Sequence, residues 1–224
     1  MVELITGLRA EQVRANLERV RTEIVEAGRD PESVQILAAV KYVPLEELGV
    51  LAEAGLTLLG ENRAQDLVAK AQAYPGTFTW DFIGQLQSRK VRQVLPHVRY
   101  IETVASDSAL AQLGRHGTPT TEILVEVNVA GEQGKGGVAP GELPGFLERS
   151  PAKVVGLMTM PPLAPEPEAS RRHFAALREL AAEHGLTELS MGTSQDYLVA
   201  VQEGATIIRL GTGLYKPAEG SGAS

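Results

Sequence analysis

The stretch VQILAAVKYVP, Val34 to Pro44, constrains the fold more than any other part of the chain. It is a continuous apolar run of mostly β-forming residues, and such a run reads as a strand buried on both faces, as in parallel sheets. Pro44 ends it, because proline cannot continue a ladder and pushes Val43 towards extended or turn geometry. Lys41 is thereby set at the carboxyl end of a core strand, where α/β sheets and barrels bind ligands. A lysine there is expected to be desolvated, with a lowered pKa and a nucleophilic neutral amine suited to Schiff-base chemistry. Taken alone, the stretch also fits a rim lysine whose stem packs on the sheet while its head reaches water.

The remaining chain repeats a strand-then-helix pattern. Val13, Leu17, Val20 and Ile24 mark an amphipathic opening helix, closed by Gly28 and Pro31. After the first strand, Pro44 opens a helix with Leu45, Leu48, Leu51 and Ala52 on its apolar face. The further strands are predicted over Thr57–Gly60, Thr77–Gly84, Val98–Val104, Thr121–Val129, Lys153–Met158, Glu188–Gly192 and Ala205–Gly211. Helices are predicted over Glu61–Ala73, Ser88–Leu95, Ser108–Leu113, around Leu143–Leu147, over Glu168–His184 and over Asp196–Glu203. Pro161 to Pro167 holds four prolines and must be a loop. Eight strands alternating with helices, preceded by one extra helix, predict an α/β fold of the TIM (β/α)8 barrel type. A doubly wound open sheet is the alternative, but no GxGxxG follows the first strand. No linker divides the chain, so one domain over residues 1–224 is expected, with a Gly/Ser/Ala-rich tail after about Lys216 expected to be disordered.

Composition narrows the function. A net charge of −7 argues against nucleic acid or an anionic membrane as partner. The chain contains no cysteine, which removes disulfides and thiol chemistry. Its four histidines are far apart, without metal-ligand spacing. Charges interrupt every apolar run of the opening residues, and no run reaches transmembrane length, so a cytoplasmic protein is expected.

The unusual residues fall where the barrel's ligand-binding rim is predicted. Lys41 ends strand one, Glu61 and Asn62 follow strand two, and Gly84 and Gln85 follow strand three. Asn128, Met158 and Thr159 end strands five and six. The loops MGTSQD (Met191, Gly192, Thr193, Ser194) and RLGTGLY (Arg209, Gly211, Thr212) follow strands seven and eight, a frequent phosphate site in barrels. Glycine lets backbone N–H groups approach an oxyanion, and Ser194 is placed at a helix start, where it would both cap the helix and bind phosphate. Gly131 to Gly137 reads as a rim loop that brings Lys135 near a ligand. A Schiff-base lysine with a phosphate cradle suggests pyridoxal 5′-phosphate (PLP). Arg209 would then meet the pyridine nitrogen as a donor only, because guanidinium stays protonated; a salt bridge to a carboxylate such as Glu126 is the other reading of it.

The segments LAAVKYVP, GENRAQ, WDFIGQLQSRK, VNVAGEQGKGG, GLMTM, LSMGTSQD and RLGTGLY together resemble the PLP homeostasis protein family, small PLP-binding barrels related to the N-terminal domain of alanine racemase. The resemblance runs from about Val34 to Tyr215. It implies an internal aldimine on Lys41, Arg209 at the pyridine nitrogen, Ser194, Gly211 and Thr212 on the phosphate, and Asn62 near the ring. It also implies a monomer or weak dimer that acts on vitamin B6 balance without established turnover. The chain departs from the family pattern at Thr193, in Asp81 and Arg89 of WDFIGQLQSRK, and in ETVASDS, where His-Ser-Val-Asp is usual; these departures read as outer-rim changes. The resulting expectation is a PLP carrier or buffer serving PLP-requiring apoenzymes, not a metabolic enzyme. A barrel-type amino-acid racemase is the first rival, but it needs a second proton-transfer group that the sequence does not offer. An aldolase-like enzyme, whose lysine attacks a sugar phosphate directly, is the second.

Overall fold

The computed structural model describes residues 4–216, and in them eight parallel strands close into a barrel in chain order. The strands are β1 Gln35–Ala39, β2 Leu58–Glu61, β3 Thr79–Phe82, β4 Tyr100–Val104, β5 Glu122–Glu126, β6 Lys153–Met158, β7 Glu188–Thr193 and β8 Ile207–Leu210. β1 pairs with β2 on one side and β8 on the other, which closes the sheet. The helices are α1 Ala10–Glu26, α2 Leu48–Glu53, α3 Ala64–Ala73, α4 Val91–Val94, α5 Asp107–His116, α6 Leu143–Glu148, α7 Arg171–Glu183, α8 Tyr197–Gln202 and α9 Thr212–Tyr215. The predicted (β/α)8 barrel with one added N-terminal helix is therefore the fold. The tail after about Lys216, expected to be disordered, lies outside the described residues.

Strand alternation divides the core. Leu37, Leu124, Met158 and Ile207 pack together inside the barrel, with Leu58, Ile83, Tyr100 and Val155 against them. The larger apolar set, including Val40, Leu59, Trp80, Phe82, Val125 and Ile208, packs with the helices. α1 buries Val13, Leu17, Val20 and Ile24, the four residues whose spacing marked it. It packs against α2, α8 and α9, and Asn16 Nδ2 donates to the carbonyls of Leu214 and Lys216 at 3.0 and 2.8 Å.

Most elements are shorter than the sequence pattern predicts, and the cause is local chemistry at their ends. β1 stops at Ala39, because the N–H of Val43 bonds the carbonyl of Val40 and the chain turns away from the sheet. α3 starts at Ala64 rather than Glu61, since Glu61 still belongs to β2. α5 is longer than expected and is capped by Ser106, whose Oγ accepts from Ala109 N–H at 3.2 Å. The short helix α9 lies within RLGTGLY, where only a loop was predicted.

Candidate functional site

The carboxyl ends of the strands open on one mouth, as parallel barrels require. Lys41 sits in the turn after β1 and is exposed, with its ammonium 4.6 Å from the centroid of the Tyr42 ring. The expected desolvation is therefore absent: the strand ends two residues earlier, and the turn carries the side chain out of the sheet. The turn itself is braced. Lys70 Nζ of α3 donates to the carbonyl of Val40 at 2.7 Å and to Glu61 Oε2 at 2.6 Å. Glu61 Oε1 accepts from the N–H groups of Asn62 and Arg63. Glu61, placed on the rim by its sequence position, is in fact fully buried and faces α3.

Asn62 is half-buried at the mouth, and its Oδ1 is buried without a hydrogen-bond partner. Its main chain is pressed against the loop after β3: a Cβ on Gly84 would lie 2.0 Å from the carbonyl oxygen of Asn62. Thr103 Oγ1 holds the same loop by donating to the carbonyl of Gly84 at 2.5 Å.

The loops after β7 and β8 touch. Gly211 N–H donates to Ser194 Oγ at 3.3 Å. Gly192 adopts φ +90° with its Cα against Tyr197 and Ala200 of α8, a position that only glycine fills without strain. Ser194 does not cap α8, contrary to expectation. The helix begins at Tyr197, and Asp196 turns back so that its Oδ1 accepts from Thr193 N–H at 2.8 Å. Ser194 is exposed, as is Thr212, while Gly211 is half-buried. The Met191 side chain is fully buried in the core, so only its main chain is available to a ligand. A cleft of about 670 Å³ lies between the proline-rich loop after β6 and the loop after β7, lined by Met160, Pro161, Leu163, Thr193, Gln195 and Asp196 among others; Ser194, Gly211 and Thr212 do not line it.

Arg209 of β8 is 5% exposed. Nη1 donates to Ser190 Oγ at 2.6 Å, and Nη2 donates to the carbonyl of Thr159 at 2.9 Å. Met160 Sδ lies 2.9 Å from Nη2. The other reading of Arg209 placed a carboxylate such as Glu126 beside it; the carboxyl group within reach is that of Glu102 of β4, 3.9 Å from Nη1. Burial pulls the guanidinium below its ordinary pKa, and Glu102, Asp196 and Glu126 offset that.

Sequence reasoning missed the polar chain behind Arg209. Ser190 Oγ donates to Glu102 Oε2 at 2.6 Å. Glu102 is fully buried, its Oε1 has no partner, and burial together with Asp81 pushes its pKa up to about 8. Asp81 of β3 is also fully buried, paired with Arg99 Nη2 at 2.6 Å, and its pKa is raised by burial. Asp81 and Glu102, which read as outer-rim departures, thus stand inside the barrel. Inward strand positions of an apolar run carry no mark that separates them from the rim. The Gly131–Gly137 loop folds on itself: Asn128 exchanges hydrogen bonds with the main chain of Glu132, and Lys135 pairs with Glu132.

The fold defines an alanine racemase-like barrel. It matches alanine racemase from Corynebacterium glutamicum with a TM-score of 0.72 at 16% identity, covering 100% of this chain and 66% of that one. More specific relatives give the family. The pyridoxal phosphate homeostasis protein of Aquifex aeolicus is 37% identical over 219 residues, covering 92% of this chain and 96% of that protein. PipY of Synechococcus elongatus, solved with PLP bound, is 31% identical with a TM-score of 0.78, covering 91% of this chain and 100% of that one. The chain belongs to the pyridoxal phosphate homeostasis protein family. No protein-family model matches it. No helix among the described residues is long and apolar enough to cross a membrane.

The donor set suits PLP. An amine stands at one strand end, a permanently charged donor lies below the mouth, and hydroxyl and main-chain N–H groups meet at the β7 and β8 loops. The unpartnered Asn62 Oδ1 marks a side chain whose hydrogen bonding is incomplete without a ligand.

Proposed function

We propose that this protein binds PLP at the barrel mouth and holds it for intracellular exchange, as a carrier or buffer rather than a turnover enzyme. The observation that carries the reading is Arg209, a buried cation held by Ser190, Thr159 and Glu102 below the mouth that Lys41 borders. In this reading Lys41 Nζ forms a Schiff base with the coenzyme's aldehyde. Arg209 faces the ring nitrogen, Asn62 contacts the ring, and Ser194, Gly211 and Thr212 hold the phosphate with the main chain of Met191 and Gly192. The coenzyme bound this way supplies an electron-withdrawing ring, and a donor that never releases its proton keeps the ring nitrogen unprotonated and weakens that withdrawal. Tyr215, whose hydroxyl donates to the carbonyl of Ala39 at the end of β1, is held neutral by burial and makes a poor second base. The exposure of Lys41 fits reversible loading better than a closed catalytic chamber. Support also comes from PipY, which was solved with PLP bound, and from the name carried by the bacterial relatives.

The test is to load the protein with PLP, record its visible absorption, reduce with borohydride and map the pyridoxyl peptide. The expected adduct is on Lys41. An adduct on Lys70, Lys90 or Lys135 instead would remove Lys41 from its role, and no visible band would remove the coenzyme.

A further inference from the structure

The barrel interior holds more charge than the mouth requires. Behind Arg209 run Ser190, Glu102, Asp81 and Arg99, all inside or at the ends of the strands. Arg99 closes the far end, with Nε and Nη2 donating to the two oxygens of Asp81 and with a further bond to Gln35. The Tyr100 N–H also donates to Asp81. Both oxygens of Asp81 therefore have donors, and only one of Glu102 does. One oxygen of Glu102 accepts from Ser190, while the other, buried and orphaned, has no donor.

A buried carboxylate oxygen without a donor is costly, and a proton on it turns it into a donor. With Oε1 protonated, every bond from Arg209 as far as Asp81 points one way. Arg209 donates to Ser190, Ser190 to Glu102, and Glu102 towards the Asp81 carboxylate that Arg99 neutralises. We propose that Glu102 is a positioning residue for Arg209: as a neutral acid it fixes the guanidinium through the Ser190 hydroxyl, and as a carboxylate it draws that charge inward and away from a bound pyridine ring.

The groups acting on Glu102 come from several strands. Asp81 of β3 opposes its ionisation, and Arg209 of β8 favours it. Ser190 of β7 donates to it, and the Met158 side chain of β6 is apolar. Arg99 stands behind Asp81, and Glu126 of β5, near Lys135, acts on Arg209 rather than on Glu102 directly. The pKa of Tyr100, near the amino-terminal ends of the strands, is raised by burial, and Glu188 and Glu122 act on it in the same direction. Among these, Glu102 alone combines full burial with an orphaned oxygen and a hydroxyl link to Arg209.

This inference rests on PLP binding at the mouth, so the test has one arm that uses the coenzyme and one that does not. In the PLP-free protein, the Glu102 carboxyl carbon, assigned by its loss in Glu102→Gln, should titrate by NMR near pH 8 rather than in the ordinary carboxylate range. In the loaded protein, the visible band should change through the same pH window, and Glu102→Gln should lose that change. Ser190→Ala, which breaks the link with the carboxyl still present, should also lose it, and Ser190→Thr should restore it. A Glu102→Gln profile superimposable on the parent protein would overturn the proposal, as would a Glu102 carbon that titrates normally. A protein that forms no PLP complex would instead overturn the functional reading, and this inference with it.

Discussion

Lys70 reaches across from α3 to Glu61 at the end of β2, with Nζ and Oε2 2.6 Å apart and both side chains buried. The same ammonium holds the carbonyl of Val40, the residue before Lys41. The pair therefore ties the first two strand ends together just beneath the lysine proposed to bind the coenzyme. Breaking a buried pair by removing one partner leaves an uncompensated charge in the interior. Lys70→Met should cost about 3–5 kcal/mol of stability. The double replacement Glu61→Gln with Lys70→Met should recover part of that loss. Urea unfolding at neutral pH measures both, and a loss below about 1 kcal/mol, the range of exposed pairs, would mean that the pair is not buried as described.

The phosphate contacts are testable by ligand and by variant. Loss of a hydrogen bond to a charged group costs roughly 1.5–3 kcal/mol, or about tenfold and more in affinity. Ser194→Ala should weaken PLP by that order, and pyridoxal, which lacks the phosphate, should bind less well than PLP by at least as much. Fluorescence titration reads both, and equal affinity for the two ligands contradicts a phosphate cradle at the β7 and β8 loops.

Stability should fall as pH rises through the neutral range. Burial first, and Asp81 next, lift the Glu102 pKa from the ordinary 4.5 to about 8 in the folded protein. Between those values the folded state keeps a proton that the unfolded chain releases, so the folded state binds more protons and loses stability with increasing pH. The dependence flattens above the folded value and below the unfolded one. Asp81, also raised by burial, acts with the same sign. Glu102→Gln should flatten the slope across the window. Chemical denaturation over that pH range checks it, and an unchanged slope in the variant would assign the dependence to other groups.

Function separates into delivery and turnover. The loaded protein, mixed with a PLP-requiring apoenzyme, should restore that enzyme's activity, and borohydride-reduced protein should restore far less. Chiral analysis of L-alanine in the same mixture should show negligible D-alanine. Multiple turnovers to D-alanine would favour the racemase, and failure to restore the apoenzyme would remove delivery while leaving binding in place.

The order of strands and helices, the added α1 and the placing of Lys41, Asn62, Ser194, Arg209 and Gly211 at or just after strand ends could be read from the chain. Hydrophobic runs and their breakers are local signals, and in a parallel barrel every strand's carboxyl end must reach the same face. The chain left two readings of Lys41, a desolvated amine and a rim lysine whose head reaches water; the second is what is found, because the Val40 to Val43 turn and the reach of Lys70 from another element decide where β1 leaves the sheet. The partner of Arg209 could not be read. Glu102 and Ser190 are 107 and 19 positions away in the chain, on β4 and β7, and only barrel closure brings them together. A carboxyl group's protonation depends on what surrounds it, so the interior chain from Arg209 to Arg99 belongs to the tertiary structure alone.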